Sequence, residues 1–315
     1  MHTPLSRRAF LAAAGAAAVC SPAAAAGGDT DDAEGLIIDT HAHIYSEDEQ
    51  TYAPMAKPYR PPPGKGTIAH LRQELKSNGV RRAVAVHTFT FYQWDNRFLA
   101  DAARDNRDAI TGVCVLDPDN PQSPELLKRY VEGFSIRGLR CIPAKSGRLD
   151  DQGVDALWSA CERLGIVVSV LVNRDKRREL EALAARHPKL PVVIDHCLNL
   201  AAGPDHDAIL DDMIGLAKVA NLYAKLSHIV TGSGQQYPFR DMHASCWQII
   251  QAYGSARCVW GSDFPCELWC PKATYAQHLR VFTHELGLEP EAKRQILGET
   301  ARRLWFAELP LAERG

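Results

Sequence analysis

From Leu36 onward the chain repeats one unit about eight times: a short, nearly continuous apolar run, then a longer amphipathic segment. The runs fall at 36–41, 83–87, 110–116, 136–141, 166–172, 192–196, 222–227 and 258–263. Unbroken apolar character of this kind predicts parallel strands covered on both faces. Between them, 176–187 places Leu180, Leu183 and Ala184 on one helical face and fills the other with Arg and Glu, and Pro188 stops it. The segment 155–164 behaves likewise, with Gly165 as its stop signal. Strand and helix in strict alternation predict an α/β fold, a (β/α)8 TIM barrel, and the length suits the roughly 250 residues such barrels use. An open doubly wound sheet is the alternative. No Gly/Ser linker divides the stretch, so one domain is expected over 36–307, after a linker at 27–35 and before a tail at 308–315.

A barrel makes a demand that the sequence can meet or fail. Its active site sits at the carboxyl ends of the strands, so polar and titratable residues should gather there. They do: His41 and His43 close the first run, His87 the second, Arg140 the fourth, Asp195 and His196 the sixth, Ser227 and His228 the seventh, and Asp263 the eighth. The first of these is Asp39-Thr40-His41-Ala42-His43. Side chains alternate along a strand, so His41 and His43 should share a face with Asp39 behind them on it. Two imidazoles converging from one strand are a ready grip for a divalent ion. A satisfied polar group at a strand end accounts equally well for His87 or His228 taken alone.

The first residues speak of destination. Ser6-Arg7-Arg8-Ala9-Phe10-Leu11, the Ala-rich run to Val19 and Ala24-Ala25-Ala26 have the order of a twin-arginine export signal over residues 1–26, which implies a periplasmic or secreted product. The run is too short and Ala-rich for a membrane span, and bulky Val19 before Cys20 disfavours lipoprotein processing. Cleavage would leave eight of nine cysteines, scattered singly along apolar segments as small core residues. Cys266 and Cys270 alone are close; an oxidised pair, a loop coincidence and a weak metal pair all fit that spacing. A net charge of -2 with no charge block implies neither nucleic acid nor an acidic membrane surface as partner. The sequence is compatible with a homo-oligomer.

Asp39-x-His41-x-His43, Ile194-Asp195-His196 and Gly261-Ser262-Asp263-Phe264-Pro265 together resemble the amidohydrolase superfamily. Asp95-Asn96-Arg97-Phe98-Leu99, Ile136-Arg137-Gly138-Leu139-Arg140 and Tyr223-Ala224-Lys225-Leu226-Ser227 extend the likeness to the amidohydrolase-related branch. That branch contains sugar-acid and pyrone-dicarboxylate lactonases and aminocarboxymuconate-semialdehyde decarboxylase. The resemblance implies a metal-dependent-hydrolase type of barrel in which His41, His43, His196 and Asp263 hold one divalent ion, zinc or manganese. It also implies Asp263 as acceptor of a water proton, His196 as a polariser of the substrate carbonyl and Arg140 as a clamp for a substrate carboxylate. One departure stands out. Many members carry a histidine or modified lysine at the end of the fifth strand, where this chain reads Val168-Ser169-Val170-Leu171-Val172-Asn173. A two-metal centre is therefore not expected, and catalysis without a metal, as in some related lactonases, is the alternative.

The expected activity is hydrolysis of a small lactone that bears a carboxylate or hydroxyls. A metal-dependent decarboxylase of an unsaturated acid, or an exported barrel that binds without turnover, are the other readings. His87, His228 and Trp94 are candidate substrate-binding residues, with Phe89, Phe91, Tyr92 and Trp269 as further pocket walls. The proline-rich stretch 57–65 reads as a loop on the catalytic face.

Overall fold

A computed structural model describes residues 35–307; the leader at 1–26, the linker up to residue 34 and the tail at 308–315 lie outside the described residues. Eight strands form one sheet in sequence order, with every pairing parallel. They are β1 (Ile38–Ala42), β2 (Arg82–Val86), β3 (Ile110–Val115), β4 (Ile136–Cys141), β5 (Val167–Val170), β6 (Val192–Ile194), β7 (Leu222–Lys225) and β8 (Cys258–Val259). The ring closes through the chain just past β8. Thr40 N donates to Trp260 O at 3.1 Å, His43 N donates to Phe264 O at 2.7 Å, and Ala42 bridges to Phe264. The molecule is thus the (β/α)8 barrel, and the open sheet is excluded.

Strand alternation sorts the apolar residues into two cores. Ile38, Val84, Val86, Val113, Val167, Val193 and Val259 pack inside the barrel, joined by Ala301 and Trp305 of the helix Thr300–Trp305. The opposite faces of the strands pack under the surrounding helices in a second, larger cluster. Gly165 ends the helix Gln152–Leu164 in the left-handed conformation (φ 64°), its N–H donating to Cys161 O and Glu162 O. That helix begins three residues before the expected 155, because the Asp151 side chain caps it by accepting from Gly153 N.

Two differences from expectation shape the mouth of the barrel. The sixth and eighth strands are short, so Asp195, His196 and Asp263 stand in the turns beyond them. His196 (φ 51°) and Asp263 (φ 58°) are both left-handed, a conformation that costs a non-glycine residue on the order of 1–3 kcal/mol and gathers at functional sites. The second difference lies in β1, where Asp39 pairs with Ala83 but Ala42 with Ala85, so three steps of β1 face two of β2. This bulge breaks the two-residue alternation. Ile38 stays inside and His41 and His43 meet at the mouth, but Asp39 does not lie behind them; it turns outward to Ser262 and to Tyr275 of the helix Tyr275–Arg280.

Trp305 is buried to 1 % exposure in the inner core. Trp305→Ala is expected to lower unfolding stability by about 3–5 kcal/mol, read as a shift in the denaturant midpoint at unchanged slope.

Candidate active site

Three donor atoms converge at the mouth. His41 Nε2 and His43 Nε2 are 3.2 Å apart, and Asp263 Oδ1 lies 3.6 Å from the first and 3.7 Å from the second. Zinc bonds of 2.0–2.2 Å in tetrahedral array set their ligand atoms roughly 3.3 Å apart, so this spacing suits a divalent ion. His43 Nδ1 lies 2.9 Å from Val86 O, and a carbonyl only accepts, so that nitrogen carries the proton and Nε2 presents its lone pair. Among the described residues no other group of histidines, cysteines and carboxylates has such a geometry. The close approach of β1 to the segment after β8 requires Gly261, since a Cβ there would sit 2.7 Å from His41 Cβ.

The outward turn of Asp39 explains how Asp263 reaches the histidines. Its buried carboxylate accepts from Ser262 Oγ (2.5 Å), Ser262 N (2.9 Å), Tyr275 Oη (2.9 Å) and His41 N (3.0 Å). The residue next to Asp263 is thereby pinned to the residue two before His41.

Below this trio lies a buried charge cluster. Lys225 Nζ is 2.7 Å from Asp195 Oδ1, and Arg140 Nε is 3.3 Å from Asp195 Oδ2. Burial pushes the Asp195 carboxyl up, but the Lys225 and Arg140 cations outweigh it and hold the group below the usual range. Burial pulls His41 and His43 well below ordinary histidine and pulls His196 down as well, so all three are neutral near pH 7. Burial raises Asp263, against the pull of His196 and Arg140. Ser227 Oγ stands 2.9 Å from His196 Nδ1 and orients that ring 4.7 Å from the ring of His41.

A cavity of about 370 Å³ opens over these groups, with His43, Arg140, His196 and Asp263 in its wall. Phe89 and Trp269 line it too, and Val115, Ile142 and Leu171 add apolar surface. Leu171, just past β5, brings an apolar side chain to the cavity rather than a ligand atom. The 57–65 stretch reaches the rim through Tyr59, whose ring lies 5.1 Å from that of Trp269.

Three sequence candidates do not reach the cavity wall. The His87 ring is tied back with Nε2 2.7 Å from Gln93 O, and burial pulls its pKa down to about 4. Trp94 packs edge to face on Phe89, which takes the lining position instead. His228 opens the short helix His228–Thr231 and is wholly buried, so Ser227 and Thr231 are the members of that segment facing the site. Phe91 and Tyr92 likewise pack in the core. Cys266 and Cys270 are free and buried, both thiols within 4 Å of Ser262 O. Sequence reasoning missed Lys225 as a site residue, although a lysine inside the apolar run of β7 was a signal, since lysine is almost never fully buried unless paired.

A family model described as amidohydrolase matches residues 38–307. An L-fucono-1,5-lactonase from Burkholderia ambifaria is 28% identical over 198 residues, 61% of this chain and 67% of that protein. Among solved structures, an amidohydrolase from Burkholderia multivorans with bound zinc aligns at TM-score 0.69 and 23% identity, over 87% of this chain and 100% of its own. A probable 2-pyrone-4,6-dicarboxylic acid hydrolase from Acinetobacter baumannii with citric acid bound aligns at TM-score 0.70 and 18% identity, over 86% and 99%. Likeness at these identities carries the fold.

The shifted groups set a pH signature for the metal-stripped protein. If Asp263 must be ionised to act, activity falls as pH drops through its raised pKa. The acid limb of kcat/KM is therefore expected above the ordinary carboxylate value of 3.8. The histidines are expected to add no limb at or above 6.5, because burial holds all three below that value. A limb near 6.5 that vanishes in His196→Asn would contradict this electrostatic picture.

Proposed function

This chain belongs to the amidohydrolase family, and on that premise we propose that it is a hydrolase that opens a small lactone with water activated at the barrel mouth. The observation that carries the reading is Asp263, raised in basicity by burial, set beside His41 and sharing the wall of one small cavity with His43, His196 and Arg140. Asp263 takes a proton as water attacks the lactone carbonyl. His196, in the cavity wall with its Nδ1 2.9 Å from Ser227 Oγ, donates from its other ring nitrogen to the developing oxyanion. The ring C–O bond then breaks, and the proton on Asp263 passes to the departing alkoxide, giving a hydroxy acid. His41, His43 and Asp263 suit one divalent ion, zinc or manganese, which when bound lowers the pKa of water and polarises the carbonyl. The zinc in the Burkholderia multivorans relative supports zinc first.

The substrate side has two supports. Arg140 stands in the cavity wall with its Nε turned to Asp195, and its guanidinium suits a substrate carboxylate, while Thr88, Thr90, Asn199 and Thr231 in the wall suit hydroxyls. The lactonase relative and the citric acid held by the Acinetobacter baumannii protein point the same two ways. The twin-arginine pattern of residues 1–26 supports a periplasmic or secreted site of action. No helix among the described residues is long and apolar enough to cross a membrane.

A lactone panel followed by acid release tests the reading. Asp263→Asn is expected to lower turnover by about 10²–10⁴-fold with the fold intact by circular dichroism. Carbon dioxide released from unsaturated acids, with no lactone opened, would replace this reading with the decarboxylase; tight lactone binding without turnover would replace it with a binding barrel. Arg140→Met should raise KM for carboxylate-bearing lactones far more than for neutral ones.

A further inference from the structure

Lys225 is wholly buried, and the proposed reaction does not use it. Its Nζ lies 2.7 Å from Asp195 Oδ1, 3.3 Å from His41 Nδ1 and 5.6 Å from the centre of the Trp305 ring. An ammonium has three protons and no lone pair, so toward His41 it only donates. That fixes one end of a chain of hydrogen bonds. The other end is fixed by Val86 O, which only accepts and so places the proton of His43 on Nδ1, leaving His43 Nε2 bare. In the metal-free protein the 3.2 Å contact of the two Nε2 atoms is a hydrogen bond only with one proton between them, and His41 must then supply it.

Both ends demand the same answer for His41: Nδ1 bare toward Lys225, Nε2 protonated toward His43. A divalent ion demands the opposite, because it needs the lone pair of His41 Nε2. The proton would then stand on Nδ1, where the nearest acceptor, Asp195 Oδ1, is 3.8 Å away and already engaged by Lys225. A ligating histidine ordinarily donates its second nitrogen to a carboxylate, and Lys225 takes that partner from His41.

Building on the hydrolytic reading of this mouth, we propose that Lys225 is a positioning residue that holds His41 in the Nε2-protonated tautomer and thereby keeps the cation affinity of the His41, His43 and Asp263 trio low. Donor spacing at the mouth suits an ion, while the shell behind it resists one. Water activation in the resting protein then depends on Asp263 itself.

Two measurements on the metal-stripped chain, made without substrate, test this. In long-range proton–nitrogen spectra of protein labelled at histidine, with His41 assigned through His41→Asn, Nδ1 of His41 should be bare and Nε2 protonated. The reverse tautomer overturns the proposal. In calorimetric titration with zinc alone, Lys225→Met should bind about 10–100-fold more tightly than wild type, at a site lost in His43→Ala. Equal or weaker binding by a folded Lys225→Met protein also overturns it. Should that variant fail to fold, the tautomer of the wild-type protein decides. Lactone turnover enters neither readout, so failure of the lactone assay and failure of this proposal are separate results.

Discussion

The Asp39 carboxylate is the joint on which the site depends. It lies between the first strand and the segment after the eighth, and its four accepted hydrogen bonds tie Ser262 and Tyr275 to the backbone of His41. A barrel must close its first strand on its last, and here the closing ladder is thin because β8 has only two residues. Side-chain bonds take over where the backbone ladder stops. The groups that pin Ser262 therefore also place Asp263, and ring closure and assembly of the mouth are one event.

Behind that joint the barrel interior carries charge where valines would suffice. Asp195, Lys225 and Arg140 are buried together, and burying an ion is costly unless its partners are well placed. Substituting apolar residues for such a cluster often leaves stability unchanged or improves it, so its presence argues for a task rather than for strength. The left-handed backbone at His196 and Asp263 belongs to the same pattern. Strain and buried charge gather at the carboxyl end of the strands, while the valines of β2, β3, β5 and β6 and Trp305 form the ordinary packed core beneath.

The barrel was legible in the sequence because eight apolar runs, six of them closed by polar or titratable residues, leave few architectures open. His41, His43, His196, Arg140 and Asp263 stood out for the same reason; the last four line one cavity, and His41 lies against His43 and Asp263. What the sequence hid was direction. Asp39 was assigned by alternation to the face of the histidines, and a single bulge sent it to the other side; no pattern of residue types announces a bulge. His87 and Trp94 have the chemistry of pocket residues but are held away by local contacts, to Gln93 O and the Phe89 ring, that depend on how one turn folds. Lys225 was visible but unread, since its meaning rests on which nitrogen of His41 it faces.

The apolar lining of the cavity has a consequence of its own. Val115, Ile142 and Leu171 line the same small cavity as Asp263 and His43, so apolar and titratable surface share one space. Apolar neighbours keep the local dielectric low there, so each charge and dipole in that wall acts more strongly than it would in water.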